Sequence, residues 1–188
     1  MLFRSFTGLT SFTWLRHLRA ADSALARANA RALVGDWIHQ RGKPAQTADW
    51  QADVAARRLL AFLSQSPLIL DGADRDFYRR FMRALGVHSK YLQRCLNDGL
   101  EGEARLTCAI AIAELGLCAQ GMNLVAKRGT KLLIDELKAQ ILADGGHMSR
   151  NPQVLVDLLL DLLPLRQAYA ARGTSARSAE HTSELQSH

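Results

Sequence analysis

Several absences narrow the choices for this 188-residue chain. Cysteine occurs three times, as Cys95, Cys108 and Cys118, an odd number with no Cys-x-x-Cys pair. That pattern excludes a zinc knuckle or disulfide framework and reads as core thiols. Proline occurs only four times and aromatic residues make up 6% of the chain. No apolar run reaches the length of a membrane span. No stretch alternates apolar and polar residues long enough to make a strand. Phosphate-binding glycine loops, His-Glu-x-x-His and Gly-x-Ser-x-Gly are also missing. Asp144-Gly145-Gly146 lacks the other ligands of a calcium loop. No metal or cofactor is expected.

What is present is Ala, Leu and Arg at helical spacing, which predicts an all-α protein. A first segment, 11–20, carries Phe12, Leu15 and Leu18, with Trp14 beside them. Asp22 or Ser23 caps a helix to about Gln40 with stripe Leu25, Leu33, Trp37 and Ile38. Thr47 to Asp49 caps a helix over 50–64. Leu68-Ile69-Leu70 after Pro67 forms a short buried turn. The stretch 73–96 has stripe Phe77, Phe81, Leu85, His88, Leu92 and Cys95. The stretch 102–118 is apolar nearly all round and should be buried. An amphipathic helix spans 122–142. Asn151 caps, and Pro152 opens, a last helix to about Arg172, kinked at Pro164. Short loops favour antiparallel neighbours. Helix centres recur about every 25 residues, a spacing that suits a helical solenoid or an α/α toroid.

The net charge is +6, from 24 Lys and Arg against 18 Asp and Glu. The basic residues form no run of five, so no nucleic-acid partner is expected. The pairs Arg57-Arg58 and Arg79-Arg80 read as solvated faces. Trp14, Trp37 and Trp50 read as core residues, with stacking on sugar rings as the alternative. The two ends resemble translated sequencing adapter. Residues 1–5 and a disordered tail, 174–188, are set apart on that ground, leaving 6–173 as the helical domain.

Three pieces of this sequence resemble the heparinase II/III-like protein family of bacteria. They are Gly102-Glu103-Ala104-Arg105-Leu106, the Leu132–Leu142 helix, and Asp144-Gly145-Gly146-His147 followed by Arg150-Asn151-Pro152. The Leu158–Arg166 helix fits as well. The resemblance implies antiparallel helical hairpins forming part of an incomplete (α/α) toroid, continued in a C-terminal β-sandwich that this chain lacks. It also implies binding, or β-eliminative cleavage, of anionic, uronic-acid-containing polysaccharide by the complete protein. A non-catalytic helical carbohydrate- or protein-binding scaffold is the alternative. The compartment stays open between periplasm and cytoplasm.

β-Elimination needs a group that neutralises the substrate carboxylate, a base, and a donor to the leaving oxygen. The family's Asn-Asn-His run falls here on Glu103-Ala104-Arg105, and its Tyr-His pair on Val154-Leu155. Neither role carries over, so the fragment is expected to be inactive. Local substitutes are His147, in a glycine-bounded loop, and the pair Tyr91 and His88 on one helix face. Arg105, Arg150 and Asn151 are the substrate-binding candidates. Against these stand ordinary roles: a helix-start salt bridge of Arg105 with Glu101 or Glu103, a backbone-bonded loop histidine, and a helix cap.

Overall fold

A computed structural model describes residues 8–119 and 121–185, with side chains described through residue 173. Regular structure among these residues is helical. Helix α1 spans Leu15–Ala21, α2 Ala24–Arg41, α3 Ala52–Ser64 and α4 Ser66–Leu70. Helix α5 spans Arg75–Asn97, α6 Gly102–Cys118, α7 Asn123–Gln140 and α8 Pro152–Leu185. A 3-10 turn, Ala48–Trp50, precedes α3. One isolated antiparallel bridge joins Ile141 to His147. The segments set apart at 1–5 and 186–188 lie outside the described residues.

The caps follow from side-chain chemistry. Ser23 accepts from Ala26 N at 3.1 Å and starts α2, while Asp22 sits in the left-handed region at the end of α1. Asp74 accepts from Phe77 N at 2.6 Å and starts α5. Asn151 accepts from Gln153 N at 3.0 Å at the head of α8. Each satisfies a backbone donor that the first helical turn leaves orphaned.

Helix α6 is the centre of the molecule. Every residue from Leu106 to Gly116 is buried, and α3, α5, α7 and α8 all pack against it. A helix apolar all round needs such a surround, as its sequence predicts. Its closest neighbour is α7. A Cβ on Gly116 would lie 2.4 Å from Ala126 N, and one on Gly129 2.8 Å from Ala113 N. The two glycines let the backbones touch, and the paired residues show that these helices run antiparallel.

Three readings of the sequence are corrected. The inward face of α2 is Ala26, Ala30, Val34 and Trp37, whereas Leu25 is 69% and Leu33 48% exposed. At Ala26, Ala30 and Val34 small residues face the core, where α1, α4 and α5 crowd this helix. Arg58 is not on a solvated face: it is completely buried. Helix α8 continues through Gly173 to Leu185 instead of stopping near Arg172. One glycine costs a helix only about 1 kcal/mol, and no proline follows it. Pro164 lies inside α8.

Candidate functional site

The sequence candidates fall into three places. Tyr91 and His88 belong to a polar knot in the aromatic core. Arg58 Nε donates to His88 Nε2 at 2.9 Å. Its Nη1 donates to the carbonyls of Thr10 (2.8 Å) and Asp49 (2.9 Å). The guanidinium lies over Trp37, 4.0 Å from the ring centroid, and 5.0 Å from that of Trp50, a cation–π stack. Because His88 Nε2 accepts, Nδ1 carries the proton and donates to Ala84 O at 2.8 Å. Burial, then the neighbouring Arg58 charge, pushes the His88 pKa down to about 3. Burial likewise lowers Arg58 to about 9. Tyr91 Oη donates to Trp50 O, and burial raises its phenol to about 12. Tyr91 borders an open depression of about 710 Å³; His88 has no exposure.

Arg105 holds three elements together. Its Nε donates to Glu136 at 2.5 Å, and its Nη1 to the carbonyls of Leu96 and Leu100. The partner is thus on α7 and not in the first turn of α6.

His147, Arg150 and Asn151 share the loop before α8. His147 is buried, bonded through Nε2 to Gln140 Oε1 at 3.1 Å and through Nδ1 to Ser149 Oγ at 2.8 Å. Gln140 Nε2 in turn donates to Glu136 and to Gly102 O. Arg150 pairs with Asp144 at 2.5 Å on the surface. The Arg150 bond, then the Gly146 amide, holds the Asp144 carboxyl below its ordinary value. Arg105, Glu136, Gln140 and His147 therefore form one chain of bonds, while Tyr91 and His88 lie apart from it and meet through ring contacts with Trp50.

Sequence reading missed a polar cleft of about 470 Å³ between the start of the chain, α3 and α8. It continues into a recess of about 220 Å³ that reaches α6. Arg57 stands between them. It pairs with Glu103 at 3.0 Å, Asp161 at 3.6 Å and Asp157 at 3.8 Å. Arg16 lines both spaces. Glu114, 2% exposed, lines the recess. Burial, with Asp161 nearby, raises its carboxyl to about 8. Burial also raises Asp161 to about 6, against the pull of Arg57. The available signal was Glu114, an acid within the apolar run from Leu106 to Gly116 of α6. Among the described residues no group of three or more His, Cys, Asp and Glu could hold a metal ion. No described helix is long and apolar enough to cross a membrane.

Comparison with known proteins gives a distant relative. No family model matches the chain, and no solved structure does. The chain is 29% identical over 188 residues to FtsZ-localized protein C of Caulobacter vibrioides. The alignment covers 94% of this chain but 30% of that protein, so the chain spans less than a third of its relative's length.

Proposed function

We propose that this chain is the helical part of a longer heparinase II/III-like protein, and that it works by binding and not by lyase chemistry. Its helical hairpins would form an arc of an α/α toroid. The name of the relative, FtsZ-localized protein C, suggests the setting: an assembly with FtsZ. The observation that carries the binding reading is the commitment of the candidate side chains. His88 is shut inside the core between Arg58 and Ala84. Tyr91 is bonded to Trp50, Arg105 to Glu136, and His147 to Gln140 and Ser149. A general base needs a free lone pair within reach of the substrate proton. Breaking these buried bonds to supply one costs about 1–3 kcal/mol for each orphaned group.

Two measurements on the purified chain test this. Co-sedimentation with polymerised FtsZ should carry the chain into the pellet, and a chain left in the supernatant counts against the FtsZ setting. Incubation with uronic-acid-containing polysaccharide should produce no absorbance from unsaturated uronate. A steady rise would restore the lyase reading for the chain itself.

A second reading has one observation in its favour. Glu114 and Asp161, two acids with raised pKa, stand near the cations Arg57 and Arg16 in one cleft. Acid, base and carboxylate-neutralising groups are the set that polysaccharide elimination uses. In that reading the complete protein is the enzyme. Lyase activity of the full-length protein, lost in Arg57→Gln, would establish it.

A further inference from the structure

Buried polar atoms are normally hydrogen-bonded, so the ones left without partners point to something that should meet them. Five such side-chain atoms occur among the described residues. Three of them gather at the recess between α3, α6 and α8: Glu114 Oε2, Asp161 Oδ2 and Gln65 Oε1. With both carboxyls ionised, all three are acceptors. Gln65 presents its Oε1 to the recess because its Nε2 donates to Ser64 Oγ at 3.3 Å, whose own hydroxyl is directed to Ala61 O. Asp161 lies 3.6 Å from Arg57, an ion pair that leaves its Oδ2 without a hydrogen bond. Glu114 is the most enclosed of the three, at 2% exposure.

Charge agrees with the donor count. Above about pH 8, where Glu114 gives up its proton, the cleft and recess are lined by four carboxylates, Asp53, Asp157, Asp161 and Glu114, against the guanidiniums of Arg16 and Arg57. The balance favours a cation. The missing partner must therefore bring several N–H donors and a positive charge into about 220 Å³. A primary ammonium has three donors and one charge in a single atom's volume. A sugar hydroxyl brings one donor and no charge, and an anion brings none. Leu60, Leu160 and Leu163 also line the recess, and this apolar surface suits the methylene stem behind an ammonium.

We propose that this recess binds a primary ammonium group on an alkyl stem, held by Glu114, Asp161 and Gln65. The group comes either from a free alkylamine or from a lysine side chain. This proposal does not depend on the toroid or FtsZ readings above.

The test is a calorimetric titration of the full chain with n-butylammonium at about pH 9.5, where Glu114 and Asp161 are both ionised and an alkylammonium, with a lysine-like pKa of about 10.4, keeps its proton. Saturable binding is expected at millimolar concentration. Glu114→Gln keeps the shape but removes the charge, and should weaken binding at least about tenfold. Gln65→Leu, which removes an acceptor without touching charge, is the second variant and should also weaken it. Tetramethylammonium has the charge without donors, and n-butyrate the stem with opposite charge; neither should compete. A peptide with one lysine tells the sources apart: tighter binding than n-butylammonium assigns the site to a protein side chain, weaker binding to a free amine. No heat up to about 10 mM n-butylammonium, weaker than any useful affinity, would overturn the proposal. So would equal binding of tetramethylammonium, stronger binding of n-butyrate, or unchanged affinity in both variants.

Discussion

Arg58 is the residue on which most of the polar core depends. Its side chain supplies donors to His88 and to two backbone carbonyls from a site with no exposure. Removing one member of a buried charged network typically costs about 3–5 kcal/mol, because the remaining polar groups lose their partners. Arg58→Leu should therefore lower stability by about that amount in a urea titration. His88 adds a pH dependence. Its folded pKa of about 3 lies below the ordinary 6.5, so the unfolded chain takes up the proton first. Stability is complete above about pH 6.5 and falls as pH drops toward 3. An NMR titration of the native protein should find the His88 ring uncharged at about pH 4.5, between those two values. A native midpoint near 6.5 would contradict the buried bond. Glu114 has the opposite sign. Its folded pKa of about 8 lies above the ordinary 4.5, so rising pH ionises the unfolded chain first and weakens the fold between those values. Glu114→Gln should remove that loss and stabilise the protein by about 2–3 kcal/mol at neutral pH. An unchanged pH slope in the variant would show that the carboxyl is ionised in the folded protein.

At the scale of elements, the contact between α6 and α7 rests on glycine at two positions. Gly116 and Gly129 would each drive a Cβ into the backbone of the facing helix. Gly116→Ala should destabilise the protein by about 1–3 kcal/mol, because backbone atoms cannot turn aside as a side chain can. Gly86, inside α5, has open space where a methyl group would go, with nothing within 4 Å. There the same substitution should stabilise by about 0.5–1 kcal/mol through helix propensity. Thermal unfolding of the two variants checks both signs. The helices themselves were readable in the sequence: Phe77, Phe81, Leu85, His88 and Leu92 mark the buried face of α5, and the unbroken apolar run of α6 predicts its full burial. The α2 face was not readable. Leucine outweighs alanine in any hydrophobic pattern, yet crowding by three neighbouring helices selects alanine and valine for the inward side.

For the whole molecule, an exposed flank of α8 matters, running from Val156 to the edge of the recess at Leu160 and Leu163. Val156, Leu159, Leu160 and Leu163 are all about half exposed or more, at the spacing of a single helix face. A contiguous apolar patch promotes association in a protein that stands alone. The chain should therefore self-associate as its concentration rises, and Leu159→Glu with Leu163→Lys should return it to monomer in light scattering. A wild-type chain that stays monomeric at high concentration would show that the patch is too small to matter.

Local capping chemistry and periodicity, both written in neighbouring residues, make the protein helical, mark where most helices begin and call for the burial of 102–118. The roles of the polar residues come from long-range packing instead. Arg57 and Arg58 are adjacent in sequence, yet one bridges three carboxylates in a cleft and the other is buried against two tryptophans. Glu114 on α6, Asp161 on α8 and Gln65 at the junction of α3 and α4 meet at one recess. A side chain's partners are set by which elements cross near it, and those crossings follow from close packing over the whole core.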